Sequence, residues 1–576
     1  MNSLVLSLLA VAGYIIAYNS YGKFIAKKLF KLSDKNQMPS HELNDGVDFV
    51  PTKKHILFGH HFATIAGLGP IVGPAIGIIW GWLPAFIWVF LGSIFMGAVH
   101  DFTTLVISAR NQGKTIGDLT GDIISPTTRY AFQFIMQFLL FIVLSVFAMI
   151  VGLLFVMYPA SVFPVWMEIP IAVWLGWEIN RGKNDLVYSI IAVVLLYLSV
   201  IAGTFMPITL PPVLGSSVTS WTLILFIYVY FASTIPVHKL LQPRDYINSH
   251  QLLVAMALVF IGLIVAHPVI TAPAINPAAY AADTDIPGLM PLLFITIACG
   301  AISGFHSLAS SGTTVKQVNK EKDTLFIGYG SMILESILAV LVLMAIAGGL
   351  GMGLEKNGIV YTGLDAFNQH YQSWSTASGL SAKLEAFVVG SANLLSSYGV
   401  PAVVGKSIIA VFIVSFANTT LDSATRIQRL SLQEIFKSRN GKVIKPFDNR
   451  HVTTLIVVLA ALLMTLSKPA AEGALILWPL FGSLNQLLAA LALGIVTVYL
   501  NQKGKNILYT FLPMIALLFV TVWSMFLNIV SFVEHDEVLL FVFSVIIMLL
   551  TLWLIVSSVY SVFVKKGVNG KKRSYK

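Results

Sequence analysis

The sequence is poor in cysteine and in charge. Cys299 stands alone in 576 residues, which excludes an intramolecular disulfide framework, and its apolar surroundings favour an inert thiol. Charged residues make up 11% of the chain and hydrophobic ones 57%, whereas about a quarter of a soluble domain is charged. That balance excludes a soluble enzyme or binding domain, and no polar stretch is long enough to fold by itself. Acidic residues are the scarcer sign, giving a net charge of +10. The excess does not point to nucleic acid, because the basic residues fall in short clusters between apolar runs, as the cytoplasmic loops of membrane proteins do. No HExxH or comparable metal-ligand spacing occurs, so neither a metal nor another cofactor is expected.

What is present is a long series of apolar runs, which predicts an all-α polytopic membrane protein. They cover residues 2–20, 62–81, 84–107, 131–157, 164–179, 186–204, 219–238 and 251–270, then 289–313, 325–350, 402–421, 452–468, 473–499, 507–531 and 538–563. This makes about 15 spans. Lys23, Lys27, Lys28, Lys31 and Lys35 follow the first run, which predicts an N-terminus outside. A cleaved signal peptide is the alternative, but neither a basic n-region nor a small-residue cleavage site is evident. Alternating the sides puts the basic loops, the run from Arg426 to Arg450 and the tail 564–576 in the cytoplasm. The acidic turns at Asp283/Asp285 and Glu534/Asp536/Glu537 fall outside. The outer segment 351–400 holds a half-apolar stretch, 384–395, too short to span and expected to be a re-entrant or surface helix.

Two of the apolar runs are interrupted. Residues 55–81 carry Gly67, Gly69, Pro70, Gly73 and Pro74; prolines four apart free backbone carbonyls inside a helix, and such groups are tolerated at membrane depth only against protein or a water-filled cavity. The competing reading is a kinked packing helix, since Gly69, Gly73, Gly77 and Gly81 form a small-residue stripe. The second interruption, in 289–313, carries Gly300, Ser303, Gly304 and His306. By the topology above the two run in opposite directions, as the halves of an inverted repeat do, and transporters of that design hold substrate where the breaks meet. Gly67, Gly69, Pro70, Gly73, Gly300, Ser303, Gly304 and His306 are therefore the expected substrate-binding residues. A helix resuming after Gly73–Pro74 would point a positive dipole end and free N–H groups at a guest carboxylate. Unwound carbonyls offer the alternative of a bound cation.

Ionisable residues in spans are functional by default because burying them in lipid is costly. Glu335, near a predicted midplane, is the expected proton-coupling carboxylate, with His60, His61 and Asp101 as further coupling residues; the competing reading of Glu335 is a neutral, hydrogen-bonded carboxyl. Asp101 and Asp422 are also explained by pairing with Arg110, Arg426 or Arg429. Ser415, Asn418, Thr419 and Ser423 at helical spacing are expected oxygen donors for a small cation, although such hydroxyls also bond back to their own helix. Asn485 and Gln486 are expected to hydrogen-bond between helices.

Six blocks carry a resemblance: GHHFATIAGLGPIVGP (59–74), GAVHDF (97–102), LLQPRDY (240–246), CGAISGFHSLASSGTT (299–314), SFANTTLDSATRIQR (415–429) and WPLFGSLNQLLAAL (478–491). Together, and in this order, the chain resembles the carbon starvation protein A (CstA) family. The resemblance implies a bacterial inner-membrane transporter used when carbon is scarce, moving peptides or, in close relatives, pyruvate with protons. It also implies kinship with the APC superfamily and a LeuT-like core of five plus five helices. On that core, 55–204 would form the first repeat, 219–270 inserted helices and 289–499 the second repeat. Residues 2–20 and 507–563 would be peripheral, 351–400 an extracellular lid, and 402–421 the helix that supplies cation ligands in sodium-coupled relatives. The expected function is secondary-active import of a small carboxylate-bearing nutrient, coupled to protons or alternatively to sodium. Its expected partners are that solute and membrane lipid, with the oligomeric state open. The rivals are a channel, disfavoured because no filter-like ring of residues appears, a metal-dependent membrane enzyme and a nutrient sensor.

Overall fold

The computed structural model describes residues 2–281, 284–437 and 443–563. Asp283 and the basic tail 564–576 lie outside the described residues. The chain is helical almost throughout, as expected where backbone polar groups must be satisfied within their own segment. Helix α1 (Ser3–Ala17) continues through further helical turns to Phe30, and a short α2 (Pro39–Glu42) follows. Next come the broken pair α3 (Lys54–Ala66) and α4 (Gly69–Gly77), then α5 (Trp82–Gly92) and α6 (Ala98–Ala109), which a π-helical turn joins into one span. A short α7 (Ile116–Ile123) leads to α8 (Pro126–Met157), α9 (Val162–Asn180), α10 (Asp185–Phe205), α11 (Ser217–Thr234) and α12 (Leu241–Ala266).

The second broken pair is α13 (Leu289–Thr296) and α14 (Gly304–Gly312), followed by α15 (Gly330–Met344) inside the longer helical run Leu325–Met352. The segment after it forms a small hairpin and three helices, α16 (Gly363–His370), α17 (Trp374–Ala377) and α18 (Leu380–Ser396). Five helices close the described chain: α19 (Ala402–Ile435), α20 (Arg450–Thr465), α21 (Trp478–Gln502), α22 (Leu508–Glu534) and α23 (Val538–Phe563). By length and apolar content twelve of the described helices can cross a membrane, and thirteen if α3 and α4, bent by 42°, count as one span. The runs expected at 289–313 and 452–468 are the broken pair α13–α14 and the 16-residue helix α20.

The packing separates centre from edge. Helices α8 and α21 are mostly enclosed, whereas only about a third of the residues in the apolar stretches of α1, α10, α22 and α23 are buried, as in lipid-facing helices. Around the centre, α12 lies along α3 and touches α19, while α21 lies along α14 and touches α8. Helix α11 packs on α8, α19 and α20, and α20 packs in turn on α8, α11 and α19. Helices α9 and α10 form a hairpin that leans on α12 and α19.

Candidate functional site: two helix breaks, a cavity and a buried acid–histidine array

The first break falls at Gly67–Leu68. Gly67 has φ +23° and ψ −145°, a conformation that a side chain would strain, and α4 starts at Gly69 with Pro70 in its first turn. This moves the expected restart four residues earlier: Pro74 lies inside α4 rather than opening it. The reason is that Pro70 already occupies the first turn, where its missing N–H costs nothing, and Pro74 then forgoes only one bond. At the end of α3, Thr420 Oγ1 on α19 donates to the Thr64 carbonyl at 3.2 Å.

The second break runs from Ile297 to Ser303, and two neighbouring amides of α21 serve its ends. Asn485 Oδ1 accepts from the Phe305 N–H at 3.0 Å and from Ser303 Oγ at 3.1 Å, capping α14. Gln486 Nε2 donates to the Phe294 carbonyl of α13 at 3.0 Å. The interhelical role expected for this pair is what they perform. The two breaks also touch: a Cβ built on Gly69 would lie 2.2 Å from Cys299 Cβ, and one on Gly73 would lie 2.7 Å from the Thr296 carbonyl oxygen. The glycine stripe and the broken helix are thus one feature, because only glycines let the unwound segments come this close.

Beside this contact lies a cavity of about 230 Å³. Leu68, Gly69 and Gly73 line it from the first break and Thr296, Ala298 and Cys299 from the second. Phe147 and Ile150 of α8, Gly482 and Ser483 of α21 and Asn528 of α22 close the sides, and Trp374 and Lys383 of segment 351–400 face it from the far end. Of the eight expected substrate residues, Gly69 and Gly73 line the cavity. The other six are engaged elsewhere or set back: Gly67 meets Thr420, Gly300 and Pro70 pack against each other with Ala339 beside Gly300, Gly304 abuts the α21 backbone, Ser303 is bonded to Asn485 and His306 to Asp101.

Behind the second break sits a fully buried array of acids and histidines. His306 Nδ1 on α14 is 2.9 Å from Asp101 Oδ2 on α6, and its Nε2 is 3.4 Å from Glu335 Oε2 on α15. His100 Nδ1 is 2.8 Å from Asp101 Oδ1. Both Glu335 oxygens and the Nε2 atoms of His100, His306 and His61 lack a hydrogen bond. His61 Nδ1 is 2.8 Å from Thr314 Oγ1. The structure therefore gathers Glu335 and Asp101 around His306, a residue expected to hold substrate. His60 lies apart, with Nδ1 2.5 Å from Asp245 Oδ2. Among the described residues, no group of three His, Cys, Asp or Glu side chains is arranged to hold a metal.

His60–Asp245 borders a second buried network. Arg244 on α12 pairs with Asp422 on α19, donates to Tyr228 Oη at 2.5 Å and lies 3.4 Å from Glu168 Oε2. Tyr228 donates to Asp422 at 2.8 Å. The expected pairings are corrected here: Asp422 meets Arg244 and Asp101 meets histidines, while Arg110 pairs with Glu321 and both Arg426 and Arg429 pair with Asp48. The expected cation ligands are also divided. Ser415 donates to Glu168, Thr419 accepts from Asn248 Nδ2 at 2.8 Å, and Ser423 instead meets Thr64 Oγ1 at 3.1 Å. Asn418 Oδ1 makes no hydrogen bond. Residues 415, 419 and 423 lie within about 80° of one another on α19, but their hydroxyls are engaged by three different partners, so the four do not surround one point.

These features have counterparts in known proteins. A family model described as carbon starvation protein CstA matches residues 2–524. The chain belongs to the CstA family. It is 32% identical to the peptide transporter CstA of Campylobacter jejuni, over 93% of this chain and 81% of that one. It is likewise 32% identical to the pyruvate/proton symporter BtsT of Escherichia coli K12, over 91% and 81%. The peptide transporter CstA of Bacillus subtilis is 31% identical, over 91% and 90%. Among solved structures, a manganese transporter mutant from Eremococcus coleocola has a TM-score of 0.50 at 13% identity, covering 90% of this chain and 99% of that one; this likeness concerns the fold alone. This CstA-family chain is a multi-pass membrane protein with a LeuT-like core of five plus five helices and further helices around it.

Sequence reasoning missed Trp374, Lys383 and Asn528 in the cavity wall and Glu168, Arg244 and Asp245 in the second network. The block LLQPRDY contains Arg244 and Asp245, and two opposite charges opening an otherwise apolar helix were the available signal.

Proposed function

We propose that this CstA-family protein imports a small carboxylate-bearing nutrient, pyruvate or a short peptide, across the bacterial inner membrane together with protons, and serves the cell when carbon is scarce. The observation that carries the reading is His306, which stands between Glu335 and Asp101, buried directly behind the break whose other face lines the cavity. A histidine with a carboxylate on either side can accept and pass a proton without entering water. The relatives that bear transporter names support both solutes. The N-terminus lies outside and the C-terminus in the cytoplasm, as the basic loops favour.

The packing also supports a revised assignment of the repeats. Helices α3–α4, α5–α6, α8, α11 and α12 form the first and α13–α14, α15, α19, α20 and α21 the second. The contact of α12 with α3 and α19 then mirrors that of α21 with α14 and α8. On this assignment the inserted pair is α9–α10, in place of the helices within 219–270.

Proteoliposome uptake tests the proposal. Labelled pyruvate or trialanine should accumulate when a proton gradient is imposed, in sodium-free buffer, and Glu335→Gln should lose gradient-driven accumulation while still exchanging solute. Accumulation without a gradient, or full gradient-driven uptake in the Glu335→Gln variant, defeats the coupling. Hydrolysis of trialanine would favour the membrane-enzyme rival, and binding without movement the sensor.

A further inference from the structure

The cavity wall is apolar and backbone-rich, with a few neutral polar groups: Asn528 Nδ2 donates to Ser483 Oγ at 3.3 Å, which is itself 3.2 Å from Ser524 Oγ. Against this, Lys383 is the one residue of formal charge among the described lining residues. It sits on α18, half-buried, and among the described residues no carboxylate or hydrogen-bond acceptor meets its ammonium. Lysines at such positions usually carry their charge out to water or pair it; this one has no paired carboxylate and contributes to the wall of the cavity. Burial pulls its pKa down to about 8, which leaves the ammonium protonated at neutral pH. An anion entering the cavity would supply the missing counter-charge.

The segment that carries Lys383 is fastened to the site. Tyr371 donates to the Ala75 carbonyl of α4 at 2.5 Å, Trp374 packs on Trp80 with ring centroids 5.5 Å apart, and α18 itself lies against α4. Asp285 caps α17 through the Trp374 and Ser375 N–H groups at 2.6 and 2.9 Å. Lys383 is therefore held over the cavity by the same helix whose broken start forms the opposite wall.

We propose that Lys383 is the carboxylate-binding residue of the transported solute, clamping it from the lid segment while the paired breaks at Gly69 and Cys299 enclose its other end. The inference rests on the function proposed above and adds the residue that selects the solute's charge. It separates two sites by role: the carboxylate is read at the lid end of the cavity and the proton is handled behind the break, at His306.

The test compares wild type, Lys383→Met and Lys383→Arg in proteoliposomes under an imposed proton gradient, with pyruvate and trialanine as separate probes and pyruvamide as a neutral competitor. Losing one hydrogen bond to a charged group should raise KM about 10- to 100-fold in Lys383→Met, with the maximal rate little changed. Lys383→Arg should retain most of the affinity, and pyruvamide should compete poorly with wild type but as well as pyruvate with Lys383→Met. The probe whose KM moves identifies which carboxylate the site reads. Thermal stabilisation of the purified protein by pyruvate or trialanine, lost in Lys383→Met, gives a readout independent of turnover. An unchanged KM for both probes overturns the role of Lys383 and leaves the transport reading intact. A wild type that moves neither solute overturns both.

Discussion

If the paired breaks form one interface, a methyl group added to the first must be tolerable only when the second makes room. Gly69→Ala is the sharpest perturbation. Its Cβ would lie 2.2 Å from Cys299 Cβ and 2.3 Å from Cys299 Sγ, whereas carbon atoms in contact sit about 3.5–4.0 Å apart. Relief therefore needs a displacement of more than an ångström in a segment with no slack. Overpacking of this kind costs about 1–3 kcal/mol, a factor of about 5 to 150 in the population of the closely packed state. With Cys299 also replaced by glycine, the nearest remaining atom is the Cα at 3.6 Å, an ordinary contact. Gly69→Ala should thus transport poorly and melt early, and the double variant Gly69→Ala/Cys299→Gly should recover most of both, short of the 0.5–1 kcal/mol or so that a glycine adds to chain entropy. Gly73→Ala supplies the contrast, since its Cβ would meet the Thr296 carbonyl oxygen at 2.7 Å and Ile297 Cα at 3.1 Å, and trimming a side chain relieves neither. Uptake rates at matched reconstitution and melting of purified protein measure all four. A wild-type-like Gly69→Ala, or a double variant no better than the single one while Cys299→Gly alone is active, would refute the interface.

Two further outcomes concern the ends of the molecule. Asp48 lies between Arg426 and Arg429 of α19, which are 1% and 3% exposed. Burial by itself would raise its pKa, but Arg429, then Arg426 and Lys316, hold the carboxyl well below the usual carboxylate range. Its stabilisation is then complete above the ordinary aspartate pKa of about 3.9 and is lost only as pH falls through the lower folded value. Asp48→Asn, which leaves buried guanidinium charge uncompensated, should cost about 3–5 kcal/mol and lower the melting temperature at pH 7 and pH 5 alike, whereas moving wild type to pH 5 should not reproduce that loss. In segment 351–400, burial, aided by Lys356 and opposed by the Ala382 carbonyl 3.1 Å away, lowers the His370 pKa to about 4. The neutral ring's contribution is full above the ordinary histidine value of about 6.5 and fades as pH falls from there to about 4. Proteolysis within 363–396 should accordingly accelerate between pH 7.5 and pH 5; an equal acceleration in His370→Gln would dismiss His370 as the cause.

The legible part of the site was the part written into the chain locally. Glycines and prolines at 67–74 and glycines at 300–304 announce unwound backbone wherever they fall in an apolar run, and Glu335 announces itself by depth. The break itself fell at Gly67 because a glycine of positive φ followed by Gly69–Pro70 ends one helix and starts another, whereas the sequence reading placed the restart at the later Gly73–Pro74. Partners were not legible. Asp422 lies four residues from Arg426 and seven from Arg429, yet it meets Arg244, 178 positions away, because α19 turns that face toward α12. Lys383 escaped notice for the same reason: in sequence it is a lysine in an outer segment, and only the folding of α18 against α4 points it into a cavity.

The remaining question is how a proton at His306 would be felt in the cavity, and the loop 297–303 supplies the route. On one side Ser336 Oγ, next to Glu335, donates to the Gly300 carbonyl at 3.1 Å; on the other, Asn485 holds Ser303; and its residues Ala298 and Cys299 line the cavity. Three helices therefore meet at the array, with α14 carrying both His306 and the end of the loop. A charged His306–Glu335 pair is worth about 4 kcal/mol at 4 Å for an effective dielectric of about 20, and a neutral pair far less. Reversing a two-state equilibrium from 1:99 to 99:1 needs about 5.5 kcal/mol of differential interaction, which under the proposed mechanism the proton at His306 and the solute at Lys383 would have to share. Coupling under the proposed mechanism requires that neither contribution suffice by itself, so that the loop would change state only when proton and solute are both in place.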